Sequence, residues 1–248
     1  MSTQANPIAA NGRIRVWDLP LRVFHWLLVV AVALAFLSSE EDSALSQWHI
    51  ISGWVAGVPI VFRLAWGFVG GEHSRFSSFI RPSAVGAHVG ELLRGRPEPS
   101  VGHNALGAIS VLLLLLLIGA TVWTGATLPG GAGEEAHELI AWTLLALVVV
   151  HVVAVILMSL LTRENLVRAM IGGTKSADRN PAARDARAPG VLALLLGLLV
   201  IAGTAYAITA YDPQAFTLRS AESFEHRAAG SGERVNGDDG EAGHAEGD

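Results

Sequence analysis

The stretch HELIAWTLLALVVVHVVAV, residues 137–155, decides the fold class of this 248-residue chain. Its length and near absence of charge are typical of a helix that crosses a membrane. It also contains two imidazoles, those of His137 and His151, and a helix advances about 21 Å over that interval. The interval makes nearly four turns, so both imidazoles lie on roughly one face, one near each side of a bilayer core about 30 Å thick. Ionisable side chains inside a membrane are costly and by default mark a functional site.

Four further apolar stretches accompany this one, in a chain with 51% hydrophobic residues and a mean hydropathy of +0.44. The composition predicts an all-α integral membrane protein. The predicted spans are residues 21–38, 49–69, 103–125, 137–161 and 190–210. The first is long enough to span and follows a polar N-terminus, so no cleavable signal peptide is expected.

The charges of the connecting segments predict the topology. Two loops, residues 38–47 and 126–136, contain acidic residues and no Lys or Arg, whereas the other connections are rich in Arg. Positive residues favour the cytoplasmic side, so the N-terminus is expected in the cytoplasm and the two acidic loops outside. The side of the acidic loops is called outer, and the opposite side is called inner.

Five of the nine histidines lie within or at the ends of the first four spans: His25, His49, His103, His137 and His151. The topology puts His49 and His137 at an outer level on different helices, and His25 and His151 at an inner level. His103 opens the third span at the inner boundary. Two level pairs of imidazoles on facing helices suit low-spin haem, whose iron takes one imidazole on each face.

Other interpretations of the histidines remain open. Zinc or copper transport, a proton relay and simple packing are the alternatives, although the span interiors lack the carboxylates and thiols that metal transport favours. The absence of cysteine excludes disulfides, cysteine-ligated iron–sulfur clusters and covalently attached c-type haem. The sequence has no basic stripe of the kind that binds nucleic acid, and no pattern of catalytic residues is evident.

Four segments of the sequence together resemble the bacterial cytochrome b561 family, which includes the b-type cytochrome subunits of nickel–iron hydrogenases. They are RVWDLPLRVFHW (15–26), WHIISGWVAGVPIVFRLAWGFVG (48–70), GHNALGA (102–108) and the long segment from HELIAW to IGGTK (137–175). The resemblance covers residues 13–175. It implies a four-helix membrane protein with two non-covalent b haems, which passes electrons to or from quinone, a partner enzyme subunit or a cytochrome c.

The resemblance also implies roles for individual residues. His25 and His151 would be axial ligands of the inner haem iron, and His49 and His137 those of the outer haem iron. His103 would contact a propionate or a quinone near the inner haem, or replace His25 as a ligand. Arg63 has two interpretations, a salt bridge to an inner haem propionate or snorkelling to the inner interface.

The expected organisation is a four-helix dihaem bundle plus one extra C-terminal transmembrane helix, in a bacterial inner (plasma) membrane. The segments are a disordered N-terminus (1–12), the dihaem domain (13–175), a charged linker (176–189), the extra helix (190–210) and a disordered acidic tail (211–248). An electron-transfer subunit is the favoured function. The alternatives are a stand-alone enzyme that oxidises quinol or superoxide, and a histidine-based metal-ion transporter. His73 is interpreted as a surface residue, and His88, His226 and His244 as ordinary residues.

Overall fold

A computed structural model describes residues 12–40, 44–80, 90, 94, 100–127, 131–179 and 184–219. Within these residues the chain forms two short strands, β1 (Arg13–Arg15) and β2 (Thr174–Ser176), one 3-10 turn (Ser46–Trp48) and seven helices. The helices are α1 (Leu19–Leu37), α2 (His49–Val69), α3 (Phe76–Phe79), α4 (Ala105–Thr127), α5 (Gly131–Leu161), α6 (Leu166–Gly172) and α7 (Val191–Tyr211). The N-terminal residues 1–11, His88 and the tail residues 220–248, with His226 and His244, lie outside the described part.

Five of these helices, α1, α2, α4, α5 and α7, are long and apolar enough to cross a membrane. Helix α1 packs on α2, α4 packs on α5, and α2 also contacts both α4 and α7. The core between these helices contains Phe24, Ile60, Trp66, Leu115 and Leu144. The outward faces keep large apolar side chains exposed, as a helix that contacts lipid requires.

Two helix boundaries differ from the prediction in ways that matter for the site. Helix α5 begins at Gly131, six residues before His137, so that imidazole lies inside the helix. The added first turn is polar. Glu134 stabilises it, because a negative charge interacts favourably with the positive end of the helix dipole. Helix α4 begins at Ala105, so His103 lies before the helix, and the Asn104 side chain accepts the N–H of Gly107.

Non-local contacts at the inner end join segments that the hydropathy pattern leaves separate. Strand β1 pairs antiparallel with β2, with Ile14 opposite Lys175. Part of the predicted linker is bound to this end: the Ala186 N–H donates to the Arg15 carbonyl at 2.9 Å, and Arg184 donates to both carboxylate oxygens of Glu72 at 2.7 and 2.9 Å. The described part of this segment is therefore held in place.

Helix α7 packs along α2, and hydrogen bonds and an ion pair hold its outer end in place. The Trp54 indole N–H donates to Asp212 Oδ2 at 3.2 Å, and Asp212 forms a buried ion pair with Arg219. The Arg219 N–H in turn donates to the Gln47 carbonyl at 3.3 Å. Ordered contacts therefore continue to residue 219, past the predicted start of the tail at residue 211.

Candidate functional site

The outer pair of histidines is brought together as the sequence predicts. The rings of His49 on α2 and His137 on α5 lie 6.1 Å apart between centroids, with an interplanar angle of 80°. His49 Nδ1 lies 2.9 Å from the Ala35 carbonyl, and His137 Nδ1 lies 3.0 Å from the Thr121 carbonyl. A carbonyl only accepts, so we assign the ring proton to Nδ1 in both residues. The Nε2 lone pair of each imidazole is then available to a ligand.

This arrangement fits a metal held between two imidazoles. Imidazole nitrogen lies about 2.0 Å from a bound transition metal, so two axial rings on one metal have centroids roughly 6 Å apart. Metal-bound histidines commonly donate the second ring N–H to a carbonyl, as both residues do here. Gly125 lies against His137, because a Cβ at this position would be 2.9 Å from His137 Cε1. A small residue is therefore required beside the imidazole.

The inner pair of histidines has fewer orienting hydrogen bonds among the described residues than the outer pair. His25 on α1 and His151 on α5 lie within electrostatic range of each other. His151 Nδ1 is 3.2 Å from the Ser110 hydroxyl, which orients that ring. His25 Nδ1 is buried and has no hydrogen-bond partner among the described residues. The Nδ1 atom of His25 therefore needs a hydrogen-bond partner that the described residues do not supply.

His103 lies at the same level, in the segment before α4. Its ring contacts Trp17 at 4.8 Å and Phe79 at 4.6 Å between centroids, and its Nδ1 is buried without a hydrogen-bond partner in the described residues. Burial, with the positive charges of Arg63 and Lys175 close by, lowers the pKa of His103 to about 3. The ring is therefore neutral near pH 7.

Arg63 is buried on α2 and does not snorkel. Its residue exposure is 1%, and its two terminal nitrogens have no hydrogen-bond partner in the described part of the chain. The guanidinium carbon lies 4.9 Å from the centroid of the Phe76 ring, a cation–π contact. Burying an unpaired cation is costly. The residue therefore fits a site for an anionic group at the inner level, next to His103.

The carboxylate of Asp18, which interacts electrostatically with Arg63, already accepts hydrogen bonds from other donors. Asp18 caps α1 by accepting the Leu21 N–H at 2.8 Å, and it accepts the Ser74 hydroxyl at 2.5 Å. The Gly71 N–H and the Trp66 indole N–H donate to it at 3.1 to 3.3 Å. Asp18 therefore joins the start of α1 to the end of α2.

Lys175, Glu164 and His73 are residues of this region that sequence reasoning did not assign to the site. Lys175 forms a buried ion pair with Glu164 at 3.2 Å and donates to the Ser100 carbonyl at 2.7 Å. Burial lowers the pKa of Lys175, and the Glu164 charge opposes this. His73 is half-buried rather than a surface residue, with its ring 6.5 Å from that of Trp17. Glu164 and Lys175 lie within a family motif and His73 lies just after one, but a position relative to a motif does not reveal burial.

A metal ion that is not held in a porphyrin needs three or four protein ligands rather than two imidazoles. Among the described residues, no three or more His, Asp or Glu side chains converge in a way that could hold an ion. The ligands that the described helices bring together at the outer level are a single pair of imidazoles.

Comparison with known proteins agrees with the resemblance. A family model described as prokaryotic cytochrome b561 matches residues 16–173. Among curated proteins, a probable Ni/Fe-hydrogenase B-type cytochrome subunit of Azotobacter vinelandii is 23% identical over 210 residues, covering 64% of this chain and 87% of that protein. The corresponding protein of Cupriavidus necator is 25% identical over 226 residues, covering 70% and 93%.

A probable Ni/Fe-hydrogenase 1 B-type cytochrome subunit of Escherichia coli K12 is 23% identical over 212 residues, covering 65% of this chain and 90% of that protein. No solved structure gives a significant match. The family match covers more than half of the chain and ends before α7. With its five apolar helices, the chain therefore belongs to the prokaryotic cytochrome b561 family and is a multi-pass membrane cytochrome of the haem b type.

Proposed function

We propose that this protein transfers electrons through the membrane by way of two haem b groups, between the quinone pool and a redox partner protein. The observation that supports this most directly is the outer pair of imidazoles, His49 and His137, at a separation suited to one metal between them. Haem supplies reversible one-electron chemistry at its iron when bound. If both His49 and His137 held the metal, no position would remain for a substrate, which favours electron transfer over catalysis at the metal.

The protein's own residues would orient and tune the outer group. Hydrogen bonds from His49 Nδ1 to the Ala35 carbonyl and from His137 Nδ1 to the Thr121 carbonyl fix the rotation of the rings. The same bonds increase the donor strength of each Nε2. These four residues come from α1, α2, α4 and α5, so the proposed ligand site requires all four helices to assemble.

At the inner level, His25 and His151 would hold the iron of the second haem. Arg63 would receive a haem propionate, since it is a buried guanidinium whose terminal nitrogens lack partners among the described residues. His103 would contact the same propionate or a quinone. Its replacement of His25 as ligand is the alternative, because both residues have an orphaned buried Nδ1.

The proposed architecture is a four-helix dihaem bundle, α1, α2, α4 and α5, within residues 13–175, with α7 as an added fifth span. We propose a bacterial inner membrane location with the N-terminus in the cytoplasm, since Arg and Lys concentrate on that side. The relatives are described as subunits of Ni/Fe hydrogenases, so the favoured partner is an oxidoreductase of that kind. A cytochrome c is the second candidate.

The experiment that tests this proposal is a dithionite-reduced minus oxidised absorption spectrum of the purified protein, with haem counted per chain. Two non-covalent b haems are the expected result. One haem would leave a b-type cytochrome but overturn the two-pair assignment. No haem, after expression with sufficient haem supply, would overturn the proposal and favour metal-ion transport. Turnover of quinol or superoxide by the chain without any partner would favour the stand-alone enzyme.

A further inference from the structure

A groove lies where the last span of the family region leaves the membrane. It is lined by Ile156, Ser159, Leu160, Arg163, Asn165 and Val167, and its volume is about 390 Å³. Three of these side chains are large, apolar and exposed: Leu160 by 70%, Ile156 by 52% and Val167 by 44%. Because α5 ends at Leu161, the groove lies at the level where acyl chains meet lipid headgroups.

The shape of the groove is set by a sharp turn in the backbone. Arg163 has φ of 54°, in the left-handed region that few residues other than glycine adopt. The turn is held by hydrogen bonds to the end of α5: the Glu164 N–H donates to the Ser159 carbonyl at 3.1 Å, and the Leu166 N–H donates to the Ser159 hydroxyl at 3.2 Å. Arg163 is thus fixed at the rim, between the end of α5 and the start of α6.

The rim of the groove carries the positive charge of Arg163, with which no described residue forms an ion pair. Arg163 lines the groove and is exposed, and Arg168, five residues further along the chain on α6, is exposed as well. Neither guanidinium forms a hydrogen bond or ion pair with another described residue. The acidic residue in the turn, Glu164, is buried and paired with Lys175 instead. The groove therefore combines an apolar wall with an adjacent unneutralised cationic edge.

We propose that this groove binds one anionic phospholipid, with an acyl chain along Ile156, Leu160 and Val167 and the headgroup phosphate at Arg163. The apolar wall requires an occupant with a hydrocarbon part, which excludes a free phosphate ion. The cationic rim favours a lipid with net negative charge over a zwitterionic one of the same chain length. The proposal is independent of haem and of the electron-transfer function.

The test is native mass spectrometry of the purified full-length protein, with phosphatidylglycerol compared against phosphatidylcholine of identical acyl chains. The expected result is one preferentially retained phosphatidylglycerol per chain. Arg163→Asn is expected to weaken its retention about fivefold, since a cation near an anionic headgroup contributes about 1 kcal/mol. Asparagine is chosen because it tolerates the left-handed backbone. Arg163→Lys keeps the charge and is expected to retain most of the binding.

Arg94→Asn is the matched control, because Arg94 is an exposed arginine outside the groove. Equal retention of the two lipids would overturn the proposal, as would equal behaviour of the Arg163→Asn and Arg94→Asn variants. Loss of both lipids to the same extent in Arg163→Asn would show that the groove had collapsed and would also overturn the charge argument. Displacement of phosphatidylglycerol by inorganic phosphate would contradict an acyl-chain contribution.

Discussion

His49 and His137 face each other across the outer level of the helix bundle, with ring centroids 6.1 Å apart. Each ring is oriented by a hydrogen bond from Nδ1 to a backbone carbonyl. The carbonyl belongs to α1 in the case of His49 and to α4 in the case of His137. Two neighbouring helices therefore orient the rings, while α2 and α5 carry the imidazoles themselves. The pairing depends on the packing of all four helices.

His137→Ala is expected to remove the outer haem and leave the inner one. The lost imidazole is one of two proposed axial ligands, so haem per chain falls from two to one, measured by a pyridine haemochrome assay. Trp142→Phe, at an exposed residue of the same helix, is the control and keeps both haems. Retention of two haems in His137→Ala would contradict the assignment of this pair.

The charge on Glu72 is expected to hold the segment containing Arg187 in place at neutral pH. The Arg187 N–H and the Arg184 guanidinium lower the pKa of Glu72 below its ordinary value of 4.5. A depressed pKa stabilises the folded contact above the ordinary value, and the stabilisation is lost as pH falls through the lowered one. Protection of the Arg187 amide from hydrogen exchange, corrected for the intrinsic rate, should therefore decrease below about pH 4.5.

Glu72→Gln tests the same contact at neutral pH. Arg187 protection is expected to fall by up to about fivefold, because a partly exposed ion pair contributes at most about 1 kcal/mol. The variant should also lose the acid dependence of this protection. Glu40→Gln alters an exposed carboxylate at the other end of the bundle and is expected to change neither. An unchanged profile in Glu72→Gln would show that Glu72 does not hold the segment.

The five apolar helices and the family were predictable from the sequence because both depend on local information. A span needs only length and apolar composition, and the family motifs are continuous segments. The depth of the histidines follows from the positions of the spans, so the meeting of His49 with His137 was also predictable. The four-helix dihaem bundle and its ligand set remain predictions.

The features that could not be predicted from the sequence are those that depend on tertiary contacts. Burial of Arg63 depends on α3, whose Phe76 ring covers the guanidinium, so snorkelling and burial could not be distinguished from the position in the span. The role of Asp18 requires donors more than 45 residues away. The pairing of Ile14 with Lys175 joins strands of three residues, too short for a hydrophobic pattern to register.

His25→Ala and His103→Ala together decide the inner ligand. His25→Ala is expected to lower the haem count from two to one, whereas His103→Ala is expected to keep two haems and change only the potential of the inner one. The physical reason is that loss of a ligand histidine would release the haem, whereas loss of a propionate or quinone contact would not. The reverse pattern would make His103 the ligand and contradict the proposed role of His25.

Arg63→Met is expected to affect the apoprotein and the haem-loaded protein in opposite directions. Without haem, the variant removes a buried cation whose terminal nitrogens have no hydrogen-bond partner among the described residues, so the free energy of unfolding should rise by about 1 kcal/mol or more. With haem, loss of the cation beside a propionate should lower one reduction potential by tens of millivolts, where about 59 mV is a tenfold change in equilibrium. Denaturant titration and a redox titration measure the two effects.

The two measurements on Arg63→Met have distinct failure modes. An unchanged pair of potentials would contradict the propionate contact but not the burial of Arg63. A less stable apoprotein would show that the guanidinium makes stabilising contacts beyond the Phe76 ring. Arg94→Met, which removes an exposed arginine outside the groove, is the control for loss of charge and should leave both potentials unchanged.

Gly197→Leu is expected to separate α7 from α2. A Cβ at Gly197 would lie 3.0 Å from Trp66 Cζ3 and 3.2 Å from Phe62 Cε2, so a leucine side chain cannot fit without movement of one helix. Overpacking of this kind costs about 1 to 3 kcal/mol, measured as the free energy of unfolding in mixed detergent and denaturant. Gly203→Leu is the matched control, because a Cβ there meets nothing within 4 Å. Equal stability of the two variants would contradict close packing of α7 on Trp66, and loss of haem from Gly197→Leu alone would show that this added helix supports the haem-binding bundle.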